Sequence, residues 1–315
     1  MMTRTFKRLA VIAATVAATS ITITAHAEPF NVGYKKCNKC HEAEVDVWKE
    51  TAHFKSYKAV HKKDEAKKIL KAVGGAKSMK KSEVCASCHY TAIQKKAGAK
   101  AKIKAGPSCE SCHGTSSEWI DIHNDYGDAE EAKDETPAHK TQRIADASAA
   151  GMIWPSEKYD VASNCMSCHG LAHPDIDGDT LSTMLDAGHP IEPGFELVAY
   201  SQGSVRHRFY PPDVNTNAEM NAAELSNLFA VGQIARLVSA SSAADKSQHA
   251  DYKAAQEERA KAARAALEPL ASIAEVKAFL GAPSDDNART AVKALEGQDL
   301  SAQLGGMLPA KSDYK

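Results

Sequence analysis

Apolar positions along the chain recur at helical rather than alternating spacing, in short blocks separated by glycine and proline. Val45, Trp48, Ala52 and Phe54 stand at near-helical intervals in residues 42–57, with no Gly or Pro between them, so a single helix is expected there. Residues 64–73 repeat the pattern and stop at Gly74-Gly75. Gly106-Pro107 and Trp154-Pro155 mark turns, residues 190–212 are turn-rich, and residues 129–149 run acidic and then alanine-rich, a surface excursion with a helix after Pro137. Past about Asn215 the character changes. Leu225, Leu228, Phe229, Ile234 and Leu237 predict an amphipathic helix. Residues 246–270 predict a second, more polar one, and Ile273, Val276 and Leu280 a third that ends at Gly281 and Pro283. A last helix is expected from Ser284-Asp285. Strand-like alternation is scarce, and the expected class is mainly α, short helices and loops with an all-helical C-terminal extension.

The first 27 residues read as an export signal: Arg4, Lys7 and Arg8, an apolar run from Leu9 to about Ile23, and Ala25-His26-Ala27 as a small-residue cleavage site. No other stretch approaches the ~20 apolar residues that cross a bilayer, so the expected product is exported and carries no membrane span. The expected division is therefore signal 1–27, a central domain 28–214 and the helical extension 215–315. Aromatic residues make up 6% of the chain and alanine carries much of its 43% hydrophobic content, a thin supply of core for ~290 residues. Something other than side chains must fill the central domain.

Eight cysteines supply it. They fall into four Cys-x-x-Cys pairs, Cys37/Cys40, Cys85/Cys88, Cys109/Cys112 and Cys165/Cys168, each followed at once by a histidine: His41, His89, His113 and His169. With 13 histidines in the chain, four such coincidences have odds on the order of one in 10⁵ to 10⁶, and Cys-x-x-Cys-His is the attachment signature of c-type haem. Two thiols at this spacing reach the two vinyl groups on one edge of a porphyrin, and the next residue then lies under the ring, where an imidazole nitrogen binds the iron. Cys₄ zinc sites have no reason to demand histidine after every pair, and thioredoxin-like dithiols do not need four copies. Four covalently bound haems are expected, with the helices and loops wrapped around them. Trp48, Trp119 and Trp154, each near an attachment motif, are expected to pack on the porphyrins.

Charge is distributed unevenly. Residues 31–113 hold 19 lysines, no arginine and 8 acids, a net +11, against −15 for the remainder of the mature chain. The bland reading is a solvated lysine surface; the functional ones are compensation of haem propionates and a docking face for an acidic redox partner. Nucleic-acid binding is a poor third among cysteine motifs.

A second histidine, His53, follows the first motif by twelve residues. On a helix that is ~18 Å of rise, whereas the two axial nitrogens on one iron are only ~4 Å apart. His53 therefore serves a neighbouring haem. Together with Trp48, "CASCHY" at 85–90 and "GPSCESCHG" at 106–114, it makes residues 33–209 resemble the tetrahaem cytochrome c-554 family. The resemblance implies stacked haem pairs, His53 on the third haem, His123 on the first, and a second haem on His89 with no distal protein ligand. For the fourth haem His173 is excluded, because on a helix it shares a face with His169. His189 and His207 remain, and family-like spacing favours His207. His61, His139 and His249 stand in charged segments and are read as solvated, although His61 is the residue that could close the second haem.

Two functional readings follow. The leading one is a periplasmic electron carrier between redox proteins of a respiratory route, of nitrogen or sulfur compounds by resemblance. The rival is reduction of nitric oxide, nitrite or hydroxylamine at an open second haem on His89, with Tyr90 or a lysine as proton donor. The absence of a Cys-x-x-Cys-Lys motif argues against the pentahaem nitrite reductase type. The C-terminal helices are read as a cover for the haem core, with a homodimer interface as the sharper alternative.

Overall fold

A computed structural model describes residues 28–211 and 213–315; the expected export signal lies outside the described residues. Several helices begin at a capping side chain. After the one-turn α1 (Tyr34–Cys37) come α2 (Glu42–Glu50) and α3 (Ala52–Ala59), two helices where the periodicity predicts one. The cause is Thr51, which is extended at ψ 160°, fully buried, and N-caps α3 by accepting from the Phe54 amide. Then follow α4 (Asp64–Ala72) and α5 (Glu83–His89), the latter capped by Ser82. A small antiparallel hairpin of β1 (Thr91–Ile93) and β2 (Lys102–Ala105) precedes α6 (Cys109–His113), which opens with a capping box from Ser108 and Ser111.

The second half adds α7 (Pro137–Ala149), with Thr136 as cap and Pro137 in the first turn, then α8 (Lys158–Cys168), α9 (Gly178–Asp186) and α10 (Leu197–Ser201). The C-terminal part comprises α11 (Ala222–Lys246), α12 (Ala250–Leu267), α13 (Ala274–Gly281), α14 (Asp285–Leu295) and α15 (Ser301–Leu304). The fold is mainly α, and among the described residues the only sheet is the hairpin. No described helix is long and apolar enough to cross a membrane.

α11 is the axis of the C-terminal part. The sequence reading makes it amphipathic, but it is buried on every side, from Ser226 through Ala235 without a break, because α8, α10, α12, α14 and α15 all pack around it. Small residues permit the approach: a side chain at Gly232 would collide with Leu197 of α10. The resulting core joins Leu228, Ile234 and Leu237 of α11 to Leu267, Phe279 and Leu295 behind it, and to Tyr159, Ala162 and Met166 of α8 in front. The apolar faces of the extension are thus spent inside the chain, and among the described residues Met307 is the only large exposed hydrophobic beyond residue 214.

The N-terminal third is built differently. Its own buried cluster is Met79, Cys85 and Tyr90. Polar contacts brace the rest: the buried Glu110 carboxylate accepts from the amides of Val32 and Gly33, and Trp48 Nε1 donates to the Pro107 carbonyl at 2.9 Å.

Candidate functional site

Each Cys-x-x-Cys-His motif sits at a helix terminus, where the chain reverses and its histidine is thrown clear. Cys37 closes α1 and His41 caps α2; Cys85, Cys88 and His89 close α5; Cys109, Cys112 and His113 form α6; Cys165 and Cys168 close α8, with His169 as its C-cap. None of the eight cysteines is paired in a disulfide.

Every motif histidine faces one histidine from elsewhere in the chain. His41 faces His123 with ring centroids 6.3 Å apart, His89 faces His189 at 6.0 Å, His113 faces His207 at 6.3 Å, and His169 faces His53 at 6.1 Å. Two imidazoles on opposite sides of one iron, with ~2 Å bonds and ~1 Å from nitrogen to ring centre, stand about 6 Å apart. The donors present therefore fit an iron porphyrin between each pair. Among the described residues no group of three or more His, Cys, Asp or Glu side chains converges on a point, as a bare ion would need. Burial lowers the pKa of His53, His113, His123 and His189, and takes His89 down to about 4, so these rings are neutral, the form that ligates a metal.

Three pairings differ from those the resemblance implies. His53 stands opposite the fourth motif rather than the third, and His207 opposite the third rather than the fourth. The second motif histidine, His89, has His189 across from it. Cys40 is exposed and the other seven cysteines are buried or half-buried. α1 ends at Cys37, and Cys40 falls in the turn that leads to α2, its amide donating back to the Cys37 carbonyl at 3.1 Å.

The differences in pairing have local causes. The break at Thr51 redirects α3, which is why His53 reaches further than a continuous helix would carry it. His189 looked like a turn residue before Pro190, and it is one; its Nδ1 bonds the Pro190 carbonyl at 2.9 Å, and that turn is what presents the ring. His61, the other candidate to close the second site, faces no motif histidine; its Nδ1 is buried without a partner. His139 pairs with Glu135, His249 caps α12 and meets Asp186, and His173 accepts from the Asp175 amide. The cavity beside His89 and His189 is lined by Val84, Leu171, Ile176, Leu181 and Met184 together with Cys88, Cys168 and His173, a mostly apolar wall with one further imidazole in it. Tyr90 is not part of that lining, and burial raises its hydroxyl to about 12.

The region with the first three motifs, residues 36–114, matches the family model described as cytochrome c554 and c-prime. Over this stretch the chain is similar to the cytochrome c-554 family. A cytochrome c-554 of Nitrosomonas europaea is 38% identical over 72 residues, which cover 22% of this chain and 30% of that relative. The chain thus aligns with less than a third of the relative's length. No solved structure matches it.

Beyond the matched segment, cysteine proximities order the sites. Cys37 of the first motif lies beside Cys109 of the third, Cys88 of the second beside Cys168 of the fourth, and Cys112 near Cys165 and Cys168. The sites run first, third, fourth, second. Trp48 and Trp154 donate to the carbonyls of Pro107 and Ile144. Trp119 stands edge-on to His123 at 5.2 Å with its Nε1 buried and unpartnered, a donor left over beside the first site.

The fourth motif lies outside the family match and is held by the C-terminal helices. Ser239 donates to the Met166 carbonyl at 3.1 Å, Tyr252 to that of Leu171 at 2.7 Å and Gln256 to that of Gly170 at 2.9 Å. The buried Arg259 guanidinium donates to the carbonyls of Gly170 and His169, and lies so close to Gly170 (φ 115°) that no side chain fits there. Burial brings the Arg259 pKa down to about 10. These contacts were not legible from spacing, since nothing in a polar helix marks which residues turn inward.

Proposed function

We propose that this chain is an exported, periplasmic tetrahaem cytochrome that carries electrons between redox proteins, with all four irons held by two histidines. The observation that carries the reading is the one-to-one pairing of motif histidines with His123, His53, His207 and His189 at a single separation. Bound haem supplies one-electron redox chemistry. What the protein contributes is a fixed set of imidazoles: eight of them, from separate helices and turns, would hold the four irons. At the second site burial keeps His89 neutral and most of the surrounding wall is apolar, which favours transfer over substrate reduction.

Of the 19 lysines in residues 31–113, three make ion pairs, Lys49, Lys55 and Lys67, each with a nearby acid. The remaining positive charge favours an acidic redox partner that docks on this region, with association slowed by salt. The test is stoichiometric. Purified holoprotein is expected to carry four haems by mass, to take up four electrons per chain in a reductive titration, and to leave carbon monoxide unbound when reduced. A reduced protein that binds one carbon monoxide per chain would instead support the rival reading, a reductase at an open second haem.

A further inference from the structure

The fourth site differs from the others in what its motif histidine donates to. His113, His123, His189 and His207 each bond a backbone carbonyl through Nδ1: Ile153 at 3.0 Å, Ile120 at 2.7 Å, Pro190 at 2.9 Å and Val205 at 2.6 Å. His41 has a carboxylate oxygen of Glu44 only at 3.5 Å. His169 alone among these has a close carboxylate: Glu192 Oε2 lies 2.7 Å from its Nδ1.

The chain goes to some trouble to place that carboxylate. Glu192 adopts φ 51°, the left-handed region that a non-glycine side chain rarely occupies, at a cost on the order of 1 kcal/mol or more. The following Pro193 is held by Arg236, whose guanidinium donates to its carbonyl at 2.8 Å. Phe195, three residues on, stacks face to face on the His169 ring at 4.1 Å and 12°. Glu192 and Phe195 thus fix His169 by its edge and its face. The same loop carries His189, the ligand opposite His89, so one turn serves both the second and the fourth site.

We propose that Glu192 is a positioning residue that sets the potential of the fourth haem. By accepting from Nδ1–H, a carboxylate makes the imidazole a stronger donor than a carbonyl does, which favours ferric iron and lowers the potential of that haem. Glu192 also acts through space on His89, His189 and His53, but it is half-exposed, so water screens that charge and the hydrogen bond to His169 is its strongest path. The inference rests on the reading that His169 ligates iron.

The test is a spectropotentiometric titration of holoprotein with Glu192→Gln and Glu192→Asp, with haem content and electron paramagnetic resonance recorded on each. Glu192→Gln is expected to move one of the four midpoints upward by more than the other three, and to change the g-values of one low-spin signal. Glu192→Asp, which keeps the carboxylate, is expected to return that midpoint toward the wild-type value. Unchanged midpoints, equal shifts in two or more haems, or an equal shift in both variants would overturn the proposal. Its failure differs from failure of the ligation: if His169 is not a ligand, the wild-type protein itself lacks one of the four two-imidazole signals.

Discussion

The N-terminal third and the C-terminal helical part solve the same problem by different means. Residues 222–304 bury Leu228, Ile234, Leu237, Leu267, Phe279 and Leu295 in one continuous core, as an ordinary helical domain does. The region with the first three motifs, although it contains α2 to α6, buries on its own little more than Met79, Cys85 and Tyr90. On the proposed reading, side chains there serve as ligands and braces, and the apolar area that stabilises the region would come from the cofactor. α8 joins the two: its Tyr159, Ala162 and Met166 lie in the helical core with Cys165 packed against it, and Cys168 closes the helix at the fourth motif.

The sharpest way to break this comparison is to withhold haem. With all eight cysteines replaced by serine, hydrogen exchange is expected to show residues 222–304 protected and residues 28–114 unprotected; uniform protection would mean the first region has a core of its own. Next in size is Phe279→Ala, in a fully buried position of the bundle, expected to cost about 3–5 kcal/mol in denaturant unfolding followed by far-ultraviolet dichroism. The Soret spectrum of the folded protein is expected to stay unchanged. Arg259→Gln leaves the carbonyls of His169 and Gly170 short of a donor and is expected to cost about 1–3 kcal/mol. That loss falls at the junction, so it is expected to appear in the Soret band and the far-ultraviolet signal together.

The smallest effect concerns the first site. Arg143 donates to the His123 carbonyl and is itself held by Glu135, whose side chain is covered by its partners rather than by depth in the protein. The Arg143 guanidinium beside it takes the Glu135 pKa down to about 2, from a usual glutamate value of about 4.3. A carboxylate with a depressed folded pKa stabilises the fold above the unfolded value and loses that contribution as pH falls through the folded one. The stability difference between wild type and Glu135→Gln is therefore expected to be constant above about pH 4.5. It shrinks as pH approaches 2. A difference that persists unchanged at pH 2 would remove the ion pair from the account.

What could be read from the sequence followed from how local each requirement is. The four attachment motifs were legible because thioether spacing and proximal ligation are settled within five residues. How deeply each thiol sits was not, since the exposure of Cys40 depends on where α1 stops and on Cys37 turning toward Cys109. The helical class and the ends of α4, α7 and α13 were legible from Gly74, Pro137 and Gly281. The distal ligands were not. His189 is marked only by a turn, and its partner His89 is a hundred residues away. The periodicity through residues 42–57 hid the break at Thr51, because a capped threonine and a helical one look alike in sequence, and that break decides which iron His53 meets. α11 read as amphipathic because its alanines and serines count as weakly polar; packing on all sides made them core.

The central claim, four irons with two histidines each, is tested most directly by spin-counted electron paramagnetic resonance of the oxidised protein beside His189→Ala. The account expects four low-spin haems in the wild type, and one high-spin haem, newly able to bind nitric oxide, in the variant. A high-spin haem that binds nitric oxide in the wild-type protein, unaltered by the His189 substitution, would contradict it.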